Sequence, residues 1–91
     1  MRKSDLIDAV AQASDLTKAQ ATQVVNAVLD EILLALSNGE PVSLPGFGSF
    51  ERRHRAARTG RNPQTGKEMQ IPASYAVGFK PGKQLREAVN G

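Results

Sequence analysis

Leu6, Ile7, Val10 and Ala11 recur at helical spacing, which predicts a short amphipathic helix over about residues 4–14. Ser4 is placed to cap it, and Asp5 and Asp8 suit the positive end of its dipole. The stretch SDLT then breaks the pattern. Thr17-Lys18-Ala19-Gln20 has the form of a capping box, in which threonine and glutamine side chains satisfy each other's backbone amides. It opens a second helix. The apolar stripe of that helix runs through Ala21, Val24, Val25, Val28, Leu29, Ile32, Leu33 and Leu36, and Asn38-Gly39 ends it. The stripe is broader than the small first helix can cover. The same stripe from a second chain is the simplest cover; complete coverage by the chain's own sheet is the alternative.

From Pro41 the period changes to two. PVSL alternates, and PGFGSF holds a turn with glycines on both sides of Phe47. Phe47, Phe50 and Phe79 hold most of the aromatic volume and are expected to cluster as a small core under the helices. After Phe50 the run ERRHRAAR has only Ala56 and Ala57 as apolar residues. On the return, Met69, Ile71, Ala73, Tyr75, Val77 and Phe79 share one parity, which predicts a half-buried strand of about eleven residues. Joined through TGRNPQTG, the two runs make one long β-hairpin. Its tip stands roughly 30 Å or more from Phe50 at a rise of about 3.4 Å per residue. Pro72 has no N–H and fits the free edge of such a two-stranded arm. KPGKQLREAVNG closes the chain as a short helix, with Pro81 in its first turn and Lys80, Lys83 and Arg86 on its outer side. The expected fold is therefore α+β: two N-terminal helices, a three-stranded antiparallel sheet with a long β-hairpin arm, and a short C-terminal helix. Residues 1–40 form the helical dimerisation part, 41–80 the sheet with its arm at about 52–75, and 81–91 the last helix.

The 91 residues suggest one domain, and at this size a lone chain has a marginal core. There is no cysteine, so neither disulfides nor thiolate metal sites are expected. The longest apolar run, ILLAL, is far too short to span a bilayer, which predicts a soluble intracellular protein with no membrane partner. The net charge of +3 is unevenly placed. Residues 1–40 hold three cations and six carboxylates, a net −3, while residues 41–91 hold nine cations and three carboxylates, a net +6. Between Arg52 and Lys67 stand six cations and no acid. A localised basic stripe is the electrostatic footprint of a polyanion binder.

Catalysis finds little support. His54 is the single histidine, it lies in an arginine-rich run, and no carboxylate or second ligand stands at a useful spacing. The serines have no base in view, and GFG is not a phosphate loop. No cofactor and no metal site are expected. A helix-turn-helix reading of the first two helices fails on charge, because the second presents Lys18, Gln20, Gln23, Asn26, Asp30 and Glu31, a poor surface for a major groove. A charge run is usually only a solvated face, and NPQTG is ordinary turn chemistry. Against that reading, the arm lacks the intermixed acids of a solubility surface, and an unsupported two-stranded ribbon is marginal in water. A ribbon ordered by wrapping a partner makes better sense. The arm has no exposed aromatic for stacking single strands before Tyr75, so duplex DNA is favoured. Arginine–phosphate contacts give affinity without sequence choice, and a stiff apolar proline at the tip has the shape of a wedge for a base step.

At GFGSF, RAARTGRNPQTGKE and FKPGKQLREAVN the chain resembles, over its whole length, the HU family of bacterial histone-like, nucleoid-associated DNA-binding proteins. The resemblance implies an intertwined dimer, homodimeric or paired with a paralogue, whose two arms embrace DNA in the minor groove. It implies Pro63 as an intercalating wedge with Asn62 beside it. It implies Arg53, Arg55, Arg58, Arg61 and Lys67 along the arm, and Lys3, Lys80, Lys83 and Arg86 on flanking phosphates. It further implies bending and compaction of DNA with little sequence preference, a liking for nicked or distorted duplex, and a cytoplasmic place on the nucleoid. Arg52 and His54 depart mildly from the pattern and are expected to add positive or titratable character at the arm's base. The alternatives are a sequence-selective heterodimer subunit like integration host factor, and an interaction module for acidic protein or lipid surfaces.

Overall fold

The computed structural model describes residues 1–91. Its elements run α1 (Lys3–Ser14), α2 (Lys18–Ser37), β1 (Val42–Leu44), β2 (Gly48–Arg55), β3 (Arg58–Arg61), β4 (Glu68–Ile71), β5 (Ser74–Pro81) and α3 (Lys83–Asn90). This is the α+β order that the hydrophobic pattern predicts. The chain divides into two compact units, Met1–Ala35 and Leu36–Gly91.

In the helical unit, Ser4 is not the cap of α1. The helix begins one residue earlier, at Lys3, and the Arg2 amide donates to Asp5 Oδ2 at 2.8 Å. A carboxylate three residues on reaches back to the open amide more directly than a serine already inside the first turn. Asp15, in the left-handed region at φ 55°, ends α1, and the Leu16 amide closes on the Ala11 carbonyl at 2.9 Å. The capping box of α2 forms as expected: the Thr17 amide donates to Gln20 Oε1 at 3.0 Å, and the Gln20 amide to Thr17 Oγ1 at 3.1 Å. The core of this unit is small. Ile7, Ala21 and Val25 are buried, with Val10 and Ala11 packed against them. Much of the α2 stripe is open: Val24 and Leu29 are exposed, Val28 is 54% and Leu33 68% exposed, Ile32 and Leu36 are partly buried, and Leu34, outside the stripe, is exposed as well. Leu6, Val10, Val24, Val25, Val28 and Leu29 line an apolar groove of about 190 Å³.

In the other unit, β1, β2 and β5 form an antiparallel sheet in the order β1-β2-β5, and β3 and β4 form a separate antiparallel ribbon. Pro45 and Gly46 make the turn between β1 and β2. The Phe47 amide donates to the Leu44 carbonyl at 3.0 Å, and Gly46 takes φ +87°, a conformation that costs glycine least. The three phenylalanines do cluster with one another, Phe79 lying 4.8 Å from Phe50 and 5.7 Å from Phe47 between ring centroids. The cluster is half open to solvent in the single chain, where Phe47 and Phe79 are exposed.

The single eleven-residue return strand is replaced by two. Pairing stops after Arg55↔Ser74 and resumes at Arg58↔Ile71, three residues on along each strand, so the register is unchanged across the gap. Pro72 lies in that gap, where its missing N–H leaves the ladder without a donor. Nor is the return strand half-buried: Met69, Tyr75 and Val77 are exposed in the single chain. Pro81 ends β5 opposite Gly48 and does not enter the helix; Gly82 is the N-cap of α3. The Gly82 amide donates to the Phe47 carbonyl at 2.8 Å and the Leu85 amide to the Gly46 carbonyl at 3.2 Å, which fixes α3 to the β1–β2 turn.

Candidate nucleic-acid interface

Strand pairing sorts the cations by face. Residues directly opposite each other on paired strands share a side of the sheet. The pairs Ser43↔Ser49, Ser49↔Lys80, Glu51↔Gly78, Arg53↔Ala76 and Arg55↔Ser74 make one polar face, with arginines opposite small residues. The pairs Phe50↔Phe79, Arg52↔Val77 and His54↔Tyr75 make the other, apolar face. Arg53, Arg55 and Lys80 therefore stand together, whereas Arg52 and His54 point away from them. Both remain exposed at the arm's base, on the other face of the sheet. Ser43 and Ser49 extend the polar face in a row with Lys80, and the residue-by-residue alternation from Ser43 onward was the signal for them.

The arginines are largely free of acids. Arg53 Nε lies 2.7 Å from Glu51 Oε1, but Arg55, Arg58, Arg61 and Lys67 take part in no ion pair. Arg61 stands opposite Glu68 in the ribbon without bridging to it. All four are exposed. Cations held on an extended ribbon without internal counter-charges are available to external anions.

The tip is pinned by its own hydrogen bonds. The Asn62 amide donates to the Lys67 carbonyl at 2.9 Å and the Gly66 amide to the Asn62 carbonyl at 2.7 Å. Asn62 Oδ1 accepts from the Gln64 amide at 2.9 Å, an Asx turn around Pro63. Gly66 takes φ +69° to close the loop. Asn62 is thus used inside the turn and holds Pro63 outward, exposed, with its ring unobstructed. Of the flanking residues, Lys83 and Arg86 stand one turn apart on α3, where Lys83 Nζ is 3.9 Å from Glu87 Oε1. Lys3 is the first residue of α1, in the helical unit. No group of His, Asp and Glu side chains is arranged to hold a metal ion, and no helix is long and apolar enough to cross a membrane.

Comparison with known proteins gives this geometry a context. The model of a family described as bacterial DNA-binding protein matches residues 1–90. The chain is 58% identical over 91 residues to DNA-binding protein HU 1 of Bacillus subtilis, covering 100% of this chain and 99% of that protein. It is 60% identical over 89 residues to DNA-binding protein HU of Geobacillus stearothermophilus, covering 98% and 99%. Among solved structures, an Anabaena HU–DNA cocrystal structure matches with a TM-score of 0.90 at 50% identity, covering 98% of this chain and 97% of that one. A fold, an arm and a sequence shared from end to end leave one assignment: the chain belongs to the HU family of bacterial DNA-binding proteins.

Proposed function

We propose that two copies of this chain grip duplex DNA between their arms, bend it, and so act as a histone-like architectural protein of the bacterial nucleoid. The carrying observation is the set of cations free of internal acids: Arg55 shares a sheet face with Arg53 and Lys80, and beyond it Arg58, Arg61 and Lys67 stand on the arm without an ion pair. Phosphates on a curved duplex are met by Arg53, Arg55, Arg58, Arg61 and Lys67, while Lys3, Lys80, Lys83 and Arg86 take flanking phosphates. Residues 1–40 serve dimerisation, about 52–75 form the arm, and 81–91 support the flank. Contacts of this kind fix position and carry no sequence information. Pro63, held out by the Asn62 turn, enters the minor groove and wedges a base step. For wedge-type minor-groove proteins, of which HU is itself an example, unstacking costs a few kcal/mol per step and is recovered through contacts the bend permits. The protein is read as a binder without catalytic chemistry. The similarity to a chain crystallised with DNA supports this reading.

Competition among duplexes tests it. Two intact duplexes of unrelated sequence are expected to bind within about threefold of each other, since no base edge is read. A nicked duplex is expected to bind about tenfold or more tightly, because the nick has already removed part of the unstacking cost. A reader of sequence would instead separate the two intact duplexes by well over tenfold, at about 1–3 kcal/mol per mismatched pair.

A further inference from the structure

Six cations stand between Arg52 and Lys67, and the first of them has intramolecular partners of its own. Arg52 lies on the apolar face of β2, opposite Val77. Its Cζ sits 4.0 Å from the centroid of the Tyr75 ring. Its Nη1 donates to the Ser37 carbonyl at 3.1 Å. Gly39 makes room for it, because a Cβ there would fall 2.9 Å from Arg52 Nη2. His54 flanks the same ring edge-on, at 5.5 Å between centroids and 65° between planes.

We propose that Arg52 is a positioning residue for the arm, not a phosphate contact: it fastens the root of the ribbon to the Ser37–Gly39 turn through the face of Tyr75. The proposal rests on the duplex-binding reading above. Its place in the sheet is what gives it weight. The last three-stranded row is Val42↔Phe50↔Phe79, and beyond it only β2 and β5 continue. Arg52 is the first residue on the apolar face past that row, where a two-stranded ribbon loses its support. A small change of direction at the root is magnified along the arm to Pro63. Arginine suits this task because a planar guanidinium stacks through its face and donates through its edge at once. Ser37 is the last residue of α2, whose final turn carries no basic residue of its own, so the cation also meets the negative end of a helix dipole.

Charge-retaining and ring-retaining variants of the full chain separate positioning from phosphate contact. In the free protein, the Arg52 δ-proton resonances are expected to be displaced upfield by the Tyr75 ring and to return to ordinary values in Y75L. On duplex DNA, R52K keeps the charge but is expected to lose about threefold to tenfold in affinity and part of the bend, with the salt slope unchanged. Y75L is expected to match R52K, Y75F to retain the bend, and the R52K/Y75L pair to be no worse than either single variant, because both break one contact. The inference is overturned if R52K binds and bends as the unaltered protein does while R52Q lowers the log–log salt slope by about 0.9 per arm, which would make Arg52 a phosphate contact. It is overturned equally if the Arg52 resonances are undisplaced. The resonances are read without DNA, so failure of the unaltered protein to bind any duplex would fall on the duplex-binding reading instead.

Discussion

Raising the salt from 50 to 200 mM is expected to weaken duplex binding by about 10³- to 10⁵-fold, the loss for a protein that neutralises roughly six to ten phosphates. The structure supplies cations enough. Arg55, Arg58, Arg61 and Lys67 are exposed and bridge to no acid, so counterions released by DNA are not replaced by internal pairs breaking. Arg53 differs, since its pairing with Glu51 must be exchanged for a phosphate; an exposed pair of this kind is worth only about 0–1 kcal/mol and does not block the exchange. Arg58 isolates the effect. It is exposed opposite Ile71 on the ribbon, away from the phenylalanine cluster, so Arg58→Ala should leave thermal stability almost untouched. The variant should flatten the log–log salt slope by about 0.9 for each arm and weaken binding to unrelated sequences equally. If one sequence alone were weakened, Arg58 would be reading bases, and the architectural account would fail at that residue.

Val28→Lys is expected to abolish the dimer and lower the thermal midpoint by more than about 10 °C. In the single chain Val28 is 54% exposed, so a lysine there would be nearly neutral if the chain worked alone. It lies, however, in the apolar groove with Leu6, Val10, Val24, Val25 and Leu29, and no large side chain anywhere in the chain is fully buried. Such a molecule completes its core by association. An uncompensated ammonium on a two-fold interface costs about 3–5 kcal/mol, and symmetry introduces it twice. A stability change of that size moves the midpoint of a domain this small by several degrees per kcal/mol. The midpoint of the unaltered protein should rise with protein concentration, as for any fold stabilised by mass action, and Val28→Ile should keep the dimer. A concentration-independent midpoint, with Val28→Lys as stable as the unaltered chain, would show that the exposed stripe is only surface.

Much of this was written locally. The Thr17–Gln20 box, the Pro45-Gly46 turn and the helix stop at Asn38-Gly39 each depend on residues within a few positions of one another, and each formed as its sequence demands. At the start of α1 two capping solutions overlap in the sequence, and it is the carboxylate of Asp5 that accepts from the Arg2 amide. The break at Pro72 was half legible: a missing donor was evident, but whether it would merely occupy an edge or interrupt the ladder depends on the partner strand's geometry. The division of the basic run was the harder matter. Charge along the sequence sums Arg52, Arg53, His54 and Arg55, whereas strand alternation sends them to opposite faces. The stretch from Ser37 to Gly39 that receives Arg52 lies far back in the chain, beyond any local pattern. The exposure of the return strand was not legible for a similar reason: periodicity marks which face is apolar, not which molecule covers it.

The two arms and the tip give the account its central claim, that the protein works by bending DNA with a proline wedge. Pro63 carries no charge, stands exposed on a turn pinned by Asn62, and is remote in sequence from the phenylalanines that hold the sheet. Replacing it should therefore change neither fold nor salt slope, and should act on DNA shape alone. The direct measurement is energy transfer between dyes at the two ends of an intact duplex, with the unaltered protein and with Pro63→Ala, each at saturation. The account predicts that the unaltered protein brings the ends markedly closer, that Pro63→Ala loses a large part of that approach, and that a dimer with one altered arm lies between. Equal end-to-end distances with and without the proline would contradict it, and would leave the tip as a turn that merely closes the arm.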